Sequence, residues 1–340
     1  MTRTARPRHL TALALAAALP LLLAACSDSQ YPNSTFTSLT DINRDSTSLW
    51  NLMIWLGIAV FVFVELLLIY VMFRYRRRPG GPEPEHIHGN TKLELTWTIL
   101  PAFVLAIIAV PTVQQIWKYQ SGAPANALQI DVIGHQWWWE FRYPEQNITT
   151  ANELYIPTGR PVNFTLQSRD VIHSFWVPSL AGKMDMIPGR LTRLALEPTR
   201  TGTFRGACAE YCGASHALMA FDVVVTAGDE FERWLDAQNA PATAPADPLA
   251  IRGRETFLAN GCSACHTIRG TPAAGRIGPD LTHVASRASI GAATLPNETN
   301  ALIRWIRETD RLKPGVHMPA FRAVSPADLA ALAAYLRGLQ

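Results

Sequence analysis

The sequence predicts a multidomain membrane protein with a two-helix transmembrane hairpin, a β-sandwich or barrel domain and an all-α domain, in that order. Three observations predict this fold class. Two long apolar stretches lie in the first third of the chain, short alternating runs punctuated by Gly and Pro follow, and the last third has helical spacing of apolar residues. A hydrophobic content of 48% in 340 residues agrees with some helices lying in lipid.

The N-terminus has the features of a secretory signal peptide over residues 1–25. Its apolar run over residues 10–25 follows three basic residues, Arg3, Arg6 and Arg8. The run ends in LAAC, which resembles a bacterial lipoprotein cleavage box and implies that Cys26 becomes the lipidated first residue. The alternative is a plain signal peptide cleaved near Ala25. Residues 26–48 are then predicted to be an exported N-terminal segment.

Residues 49–73 are apolar and long enough to cross a bilayer as the first transmembrane helix. Arginines at positions 74, 76, 77 and 78 follow at once, so the positive-inside rule makes residues 74–95 a cytoplasmic loop. The second transmembrane helix, residues 96–117, contains Pro101 and Pro111, which packed membrane helices tolerate. Within the first span, Glu65 either faces a partner helix or cavity or is a neutral acid without a role.

Residues 121–237 are predicted to form the β domain. The short strand-like runs suggest a small antiparallel sandwich, and they cover residues 128–143, 162–167, 193–196 and 221–226. The proline- and alanine-rich segment 238–248 is predicted to be a semi-rigid linker. Beyond it, a domain over residues 249–340 is predicted from three helical patterns, at residues 250–260, 301–311 and 327–339.

The remaining cysteines form two close pairs, Cys208 with Cys212 and Cys262 with Cys265, and each pair is followed by a histidine. Thiols of exported proteins usually pair in disulfides. Disulfides of a large domain tend to join distant segments, whereas tight pairs beside histidines indicate cofactor attachment. The sequence therefore predicts two cofactor sites.

The first pair lies in the segment CAEYCGASHALM, residues 208–219. Its side chains offer soft or borderline ligands that are typical of copper sites, namely Cys208, Cys212, His216 and Met219. Two thiolates can bridge two copper ions, but each ion then needs a terminal histidine. His173, which ends a strand-like run, is the candidate for the second histidine, and the main-chain carbonyl of Glu210 could fill the last position.

Together with DVIHSFWVPSLAGKMDMIPGR, residues 170–190, this segment resembles the dinuclear copper (CuA) domain of cytochrome c oxidase subunit II, which is cupredoxin-like. The resemblance implies a complete ligand set, which consists of His173, Cys208, Glu210 through its main-chain oxygen, Cys212, His216 and Met219. It also implies that the Glu210 carboxylate reaches a magnesium ion at the boundary with subunit I. The alternatives are a Cys208–Cys212 disulfide, which leaves His216 and Met219 unexplained, and a copper chaperone, which needs neither Met219 nor the hairpin.

Two further segments match the same family. The motif GHQW, residues 134–137, resembles the one whose tryptophan lies between copper and the electron donor, which makes Trp137 the candidate for electron entry. Two of the three clustered tryptophans are expected in a core or interface. The segment KLELTWTILP, residues 92–101, resembles the start of the second membrane helix and implies that Glu94 lies at the mouth of a proton channel of subunit I. The alternative for Glu94 is a solvated carboxylate stabilised by the helix dipole.

The second pair lies in CSACH, residues 262–266, the C-x-x-C-H signature of covalent haem attachment. The segments GPDL and VHMPAF follow in an order that resembles a class I cytochrome c over about residues 249–340. The resemblance implies thioether links at Cys262 and Cys265, the axial ligands His266 and Met318, and a Pro279 carbonyl that orients His266. His283 and His317 are alternative distal ligands. A thioredoxin-like motif is disfavoured because no alternating strand and helix pattern surrounds it.

The two cofactor domains have opposite formal charges. Residues 121–239 contain 9 Lys and Arg against 13 Asp and Glu, a net −4, and residues 249–340 contain 11 against 6, a net +5. Opposite charges on tethered domains favour docking of the haem domain onto the copper domain. The alternative is that both are solvated faces with no such role.

The whole chain thus resembles subunit II of a haem-copper cytochrome c oxidase with a fused cytochrome c domain, as in caa-type oxidases. The resemblance implies that electrons enter at haem c, pass to CuA and leave for subunit I, where oxygen is reduced to water and protons are pumped. Subunits I and III, a soluble or membrane-bound cytochrome c or other electron donor, and membrane lipid are the implied partners, and no nucleic acid is expected. The implied location is the bacterial inner membrane, with both cofactor domains on its periplasmic or extracellular face.

Proteins of other classes remain as alternatives. One is a membrane-anchored redox carrier or copper-delivery protein, and another is the small subunit of a copper-containing nitric oxide reductase. A quinol oxidase subunit is disfavoured because it keeps the fold but lacks the copper ligands.

Overall fold

The computed structural model describes residues 34–81, 83, 86, 88–120 and 122–340, so the predicted signal peptide and Cys26 lie outside the described residues. The α-helices of the described residues are α1 (Asp41–Arg74), α2 (Thr91–Gln120), α3 (Gly228–Asn239), α4 (Pro248–Ala259), α5 (Thr299–Leu312) and α6 (Pro326–Arg337). The strands of the β domain are β1 (Leu128–His135), β2 (Trp138–Tyr143), β3 (Ile148–Ala151), β4 (Glu153–Pro157), β5 (Val162–Ser168), β6 (His173–Trp176), β7 (Met184–Met186), β8 (Thr192–Leu196), β9 (Gly202–Cys208) and β10 (Ala220–Thr226).

Helices α1 and α2 form the membrane hairpin, and each is long and apolar enough to span a bilayer. Both extend beyond the predicted spans, because polar turns continue each helix outside its apolar stretch. At the outer end, the Asp45 carboxylate accepts from Lys118 Nζ at 2.5 Å and from the Tyr119 hydroxyl at 2.6 Å. The two prolines predicted to be tolerated lie inside α2 without ending it.

The start of α1 is fixed to the β domain. The Thr40 side chain caps the helix by accepting from Asn43 N, and its hydroxyl donates to the Leu180 carbonyl. Asn43 Nδ2 donates to the Pro178 carbonyl at 3.2 Å, and Asp41 Oδ1 accepts from Glu197 N at 3.1 Å. The β domain is therefore held directly on the outer end of the first membrane helix.

The β domain consists of two five-stranded sheets, in the orders β3-β2-β1-β5-β8 and β4-β10-β9-β6-β7. Their facing side chains form one apolar core that includes Trp139, Phe141, Phe175 and Phe221. The expectation of a purely antiparallel sandwich is wrong, because β1 pairs with β5, and β4 with β10, in parallel. Parallel pairing needs a long crossover connection, and each of these two connections includes at least one strand of the other sheet.

The run 128–143, predicted as one strand-like stretch, is a hairpin. Strands β1 and β2 pair antiparallel, with His135 opposite Trp138, so Gln136 and Trp137 form the turn. The turn has no Gly or Asn, which are the usual sequence signals. Tertiary contacts hold it instead: Asp170 Oδ2 accepts from Gln136 N at 2.7 Å, and the Cys212 carbonyl accepts from both turn side chains.

The C-terminal domain is helical, as predicted, apart from a short strand pair, β11 (Ser289–Ile290) with β12 (Leu295–Pro296). Helices α4 and α6 approach so closely that a Cβ at Gly253 would overlap the Ala331 backbone. The predicted linker begins at the end of α3 and is bound to this domain, because Ala242 N donates to the Arg269 carbonyl at 3.0 Å. A side-chain nitrogen of Arg269 also donates to the Gln238 carbonyl, at the start of the linker.

We predict that Gly206→Ala destabilises the β domain by about 1–3 kcal/mol, the range for overpacking a filled core. A Cβ at Gly206 would overlap the Phe221 ring, which is fully buried and has no space to move. Thermal unfolding followed by tryptophan fluorescence tests this. Gly182→Ala is the matched control, because a Cβ there has no neighbour within 4 Å. Equal unfolding temperatures for the two variants would contradict the packing argument.

Candidate metal centres

The structure brings all the predicted copper ligands to one end of the β domain. His173 begins β6, so the expectation that it ends a strand is wrong, because residues 169–172 lie outside any strand, between β5 and β6. Cys208 ends β9, which pairs with β6, so the fold sets the positions of both residues. The Cys208 and Cys212 sulfurs lie 3.8 Å apart, and Cys208 Sγ lies 3.8 Å from His173 Nδ1. Cys212 Sγ lies 3.5 Å from His216 Nδ1 and 3.8 Å from Met219 Sδ, and the Glu210 carbonyl lies 3.1 Å from Cys208 Sγ.

The donor set fits copper. Both thiols are free and buried, and their 3.8 Å separation is far beyond the roughly 2.05 Å of a disulfide bond. The contact between the thiols lowers the pKa of Cys208 to about 3 and raises the pKa of Cys212. The two thiols thus differ in acidity, and the thiolate is the form that binds metals. Two sulfurs, two imidazoles, a thioether and a carbonyl are ligands that copper prefers.

Asp170 orients His173, a role that the sequence analysis missed. His173 Nε2 lies 2.7 Å from Asp170 Oδ1, which leaves Nδ1 facing the thiols. Burial opposes protonation of His173, but the hydrogen bonds to Asp170 and Cys208 outweigh it and raise the His173 pKa. Carboxylates commonly fix the ring of a metal-binding histidine in this way. The D-x-x-H spacing at residues 170–173 was the available signal.

Trp137 lies beside the ligand loop. Its Nε1 donates to the Cys212 carbonyl at 3.0 Å, and its side chain is only 5% exposed. On its other side, a Cβ at Gly315 would meet the Trp137 ring at 2.8 Å, so only glycine allows this close approach. Gly315 also has a φ of +80°, which glycine adopts without strain. Of the neighbouring tryptophans, Trp139 is fully buried in the core and Trp138 stacks on His135 with ring centroids 4.2 Å apart.

The acidic candidates lie at surfaces. The Glu210 carboxylate is 44% exposed, and Lys183 Nζ is 3.6 Å from its Oε2. Glu94 is exposed in the first turn of α2, where its Oε1 accepts from Asn90 N at 3.3 Å. This contact agrees with the helix-start alternative. Glu65 is exposed along α1, as are its neighbours in that span. The magnesium and proton-channel roles stay predictions.

The haem residues converge on a cavity of about 340 Å³ in the C-terminal domain, lined by Cys262, Cys265, His266 and Met318 among others. His266 Nδ1 lies 2.8 Å from the Pro279 carbonyl, the contact that the resemblance implies, so Nε2 is left for iron. A Cβ at Gly278 would meet the His266 ring at 2.6 Å, so the ring position depends on a glycine. Burial lowers the pKa of His266 and favours the neutral imidazole that binds metals. These residues fit a c-type haem.

The alternative distal histidines differ in position. His283 is buried, does not line the cavity, and its Nε2 lies 3.0 Å from the Ala240 carbonyl of the linker. His317 lines the cavity, but its ring is 6.5 Å from the Trp137 ring. Met318 lines the cavity and packs against the core of its domain.

The two sites adjoin. The haem cavity is closed on one side by residues of the β domain, among them Gln136, Trp137 and Trp138. The expected contact between the domains is therefore present. Among the described residues no ion pair joins the two domains. Hydrogen bonds between side chains and backbone groups join the two domains instead.

Comparison with known proteins identifies the same three parts. Family models for the transmembrane domain and the periplasmic domain of cytochrome c oxidase subunit II match residues 36–115 and 145–227, and a cytochrome c model matches residues 250–340. Cytochrome c oxidase subunit 2 of Alkalihalophilus pseudofirmus is 42% identical over 271 residues, which cover 78% of each chain. That of Bacillus sp. (strain PS3) is 35% identical over 78% of this chain and 80% of the relative. A similar solved structure is the crystal structure of the periplasmic domain of subunit II of cytochrome oxidase of Bradyrhizobium japonicum. Its sequence is 30% identical to this chain, the match covers 34% of this chain and 95% of the Bradyrhizobium chain, and the TM-score is 0.33.

We predict that Asp170→Asn weakens copper binding by about 10- to 100-fold, because the His173 ring loses the carboxylate that orients it. Competition between the protein and a copper chelator measures the affinity. Asp229→Asn is the control, since Asp229 is an exposed residue of α3 that pairs with Arg233. If both variants bind copper as tightly as the original chain, Asp170 has no orienting role.

Proposed function

This chain belongs to the cytochrome c oxidase subunit II family, and we propose that it is the electron-entry subunit of a haem-copper oxidase that carries its own haem c donor. The position of Trp137 is the observation that carries this proposal. Its indole nitrogen is bonded to the Cys212 carbonyl, and its ring lies against Gly315 and His317, next to Met318. One side chain thus lies between the copper ligand loop and the segment that carries Met318.

The family implies bound CuA copper and haem c. When bound, the copper pair and the haem supply one-electron acceptor and donor centres, and a methionine opposite histidine raises the haem potential, which suits a donor to copper. We assign the copper ligands to His173, Cys208, the Glu210 carbonyl, Cys212, His216 and Met219. We assign haem attachment to Cys262 and Cys265, with His266 and Met318 as axial ligands.

Other residues fix the candidate ligands. The Asp170 carboxylate contacts the His173 ring, and the Pro279 carbonyl contacts the His266 ring. Trp137 Nε1 donates to the Cys212 carbonyl at 3.0 Å, and Trp139 Nε1 donates to the Met219 carbonyl at 3.4 Å. These contacts would limit movement of the ligands when the charge of a bound metal changes.

In the assembled enzyme, electrons pass from haem c through the Trp137 region to CuA and then to subunit I, where oxygen is reduced and protons are pumped. Subunit III, a cytochrome c or other donor, and lipid at Cys26 are further partners. The exposed carboxylate of Glu210 binds magnesium shared with subunit I, and Glu94 at the start of α2 lies at a proton-channel mouth of that subunit. The membrane is the bacterial inner membrane, with the cofactor domains on its outer side.

We predict that Cys212→Ser in the purified oxidase complex abolishes the near-infrared copper band and leaves the haem c spectrum unchanged. The substitution removes a bridging sulfur but touches no haem ligand. Oxygen consumption with a reduced donor falls by at least about 100-fold, while haem c is still reduced, because the loss of an essential transfer centre is not compensated elsewhere. Persistence of the copper band would show that the ligand assignment is wrong.

The same preparation separates the rival functions. Consumption of nitric oxide but not oxygen would assign the chain to a nitric oxide reductase. Isolation without any haem-bearing membrane partner would favour a carrier or copper-delivery protein.

We predict that Met318→Ala erases or shifts the methionine-to-iron charge-transfer absorption of haem c and lowers the haem potential. The near-infrared copper band is unchanged. His283→Ala is the matched control, because His283 is bonded to the linker and does not line the cavity. An unchanged haem spectrum in Met318→Ala would point to His317 as the distal ligand.

A further inference from the structure

Lys313 is a buried cation between the two cofactor domains. Lys313 is the residue directly after α5, and it is only 2% exposed. Lysine is almost never fully buried unless it is paired. Among the described residues no carboxylate lies within ion-pair distance of it. Its ammonium donates instead to two main-chain carbonyls, those of Leu218 at 2.8 Å and Gly291 at 2.7 Å.

The two carbonyls belong to different domains. Leu218 lies in the short helical turn His216–Leu218 of the copper loop, directly before Met219. Gly291 follows β11 and lines the haem cavity. Burying an unpaired ammonium is strongly unfavourable unless hydrogen bonds compensate, so the position of Lys313 depends on both domains staying in contact.

A second bond joins the same two segments. The buried Ser215 hydroxyl, next to His216, donates to the Pro314 carbonyl at 2.6 Å. Lys313 and Pro314 thus contact the copper loop on both sides of His216, and Met318 of the haem site lies only a few residues further along the same segment.

We propose that Lys313 is a positioning residue that locks the haem domain onto the copper loop and sets the segment 313–318 relative to both centres. The identity of the two centres rests on the proposed function, whereas the contact between the domains does not. Lys313 lines the haem cavity but is none of the assigned copper or haem ligands. It acts by holding Leu218 and Gly291 together.

An independent contact reports whether the domains are docked. Elsewhere in the interface, Glu153 of β4 is buried, and its Oε1 accepts from Ala288 N of the haem domain at 2.6 Å. The Ala288 amide can exchange its hydrogen with solvent only when this contact opens. Amides within α6 are bonded inside the haem domain and serve as internal references.

The test compares Lys313→Met with the original full-length chain in its purified complex. Methionine has similar length but no donor. We expect hydrogen exchange of peptides containing Ala288 to accelerate by about tenfold or more, the effect of losing hydrogen bonds from a charged group. Exchange in α6 stays unchanged. The copper and haem spectra also stay unchanged, while electron transfer from reduced haem c to copper slows.

The control is Arg322→Met, which removes an exposed cation of the same domain that pairs with Asp310. It tests whether net charge alone docks the domains. Acceleration in Arg322→Met equal to that in Lys313→Met would overturn the proposal. Unchanged Ala288 exchange in Lys313→Met, with both spectra intact, would overturn it as well.

If Lys313→Met fails to fold, Ser215→Ala tests the contact between the copper loop and the segment 313–318. It removes one bond between the same segments, and a smaller acceleration at Ala288 is expected. No acceleration in Ser215→Ala would overturn the proposal. Absence of copper or haem signals from the original chain would instead contradict the proposed function, while the exchange measurement would still report on docking.

Discussion

The structure depends on keeping two buried thiols close to each other without a bond between them. Cys208 is fixed as the last residue of β9, in register with Phe175 on β6. Cys212 is fixed through its carbonyl, which accepts from Gln136 Nε2 at 2.7 Å and from Trp137 Nε1 at 3.0 Å. The thiols are thus held by separate parts of the fold, and their sulfurs lie 3.8 Å apart.

The same constraint explains the turn at Gln136 and Trp137. A turn without glycine or asparagine has little intrinsic preference for its conformation. Here Asp170 accepts from the Gln136 amide, and the same carboxylate group holds the His173 ring. Asp170 therefore contacts both the turn that contains Trp137 and the predicted copper ligand His173. The positions of the turn and of the His173 ring therefore depend on one carboxylate.

The sequence could predict the parts that depend on local pattern. The length of the two apolar stretches predicted the membrane helices, and the spacing of cysteines and histidines predicted the two candidate cofactor sites. Helical periodicity located α4, α5 and α6 within a few residues. It could not predict what depends on distant contacts. The parallel β1–β5 pairing joins strands separated by a passage through the other sheet. Lys313 looks like any surface lysine until the fold buries it against Leu218, which lies 95 residues away in the chain.

The interface between the domains combines packing of the Trp137 ring on Gly315 with a few hydrogen bonds, and the covalent connection explains why so few directional contacts are enough. A linker that joins two modules gives an effective concentration in the millimolar range, so a weak contact is already well populated. The linker here is itself bound at Ala240 and Ala242 to the haem domain, which leaves little slack. Opposite net charges of −4 and +5 add a long-range attraction but no orientation. Orientation comes from directional bonds, at Ser215 and Glu153 as well as at Lys313. Tethering therefore supplies proximity, and a small number of hydrogen bonds supplies the relative orientation of the two domains.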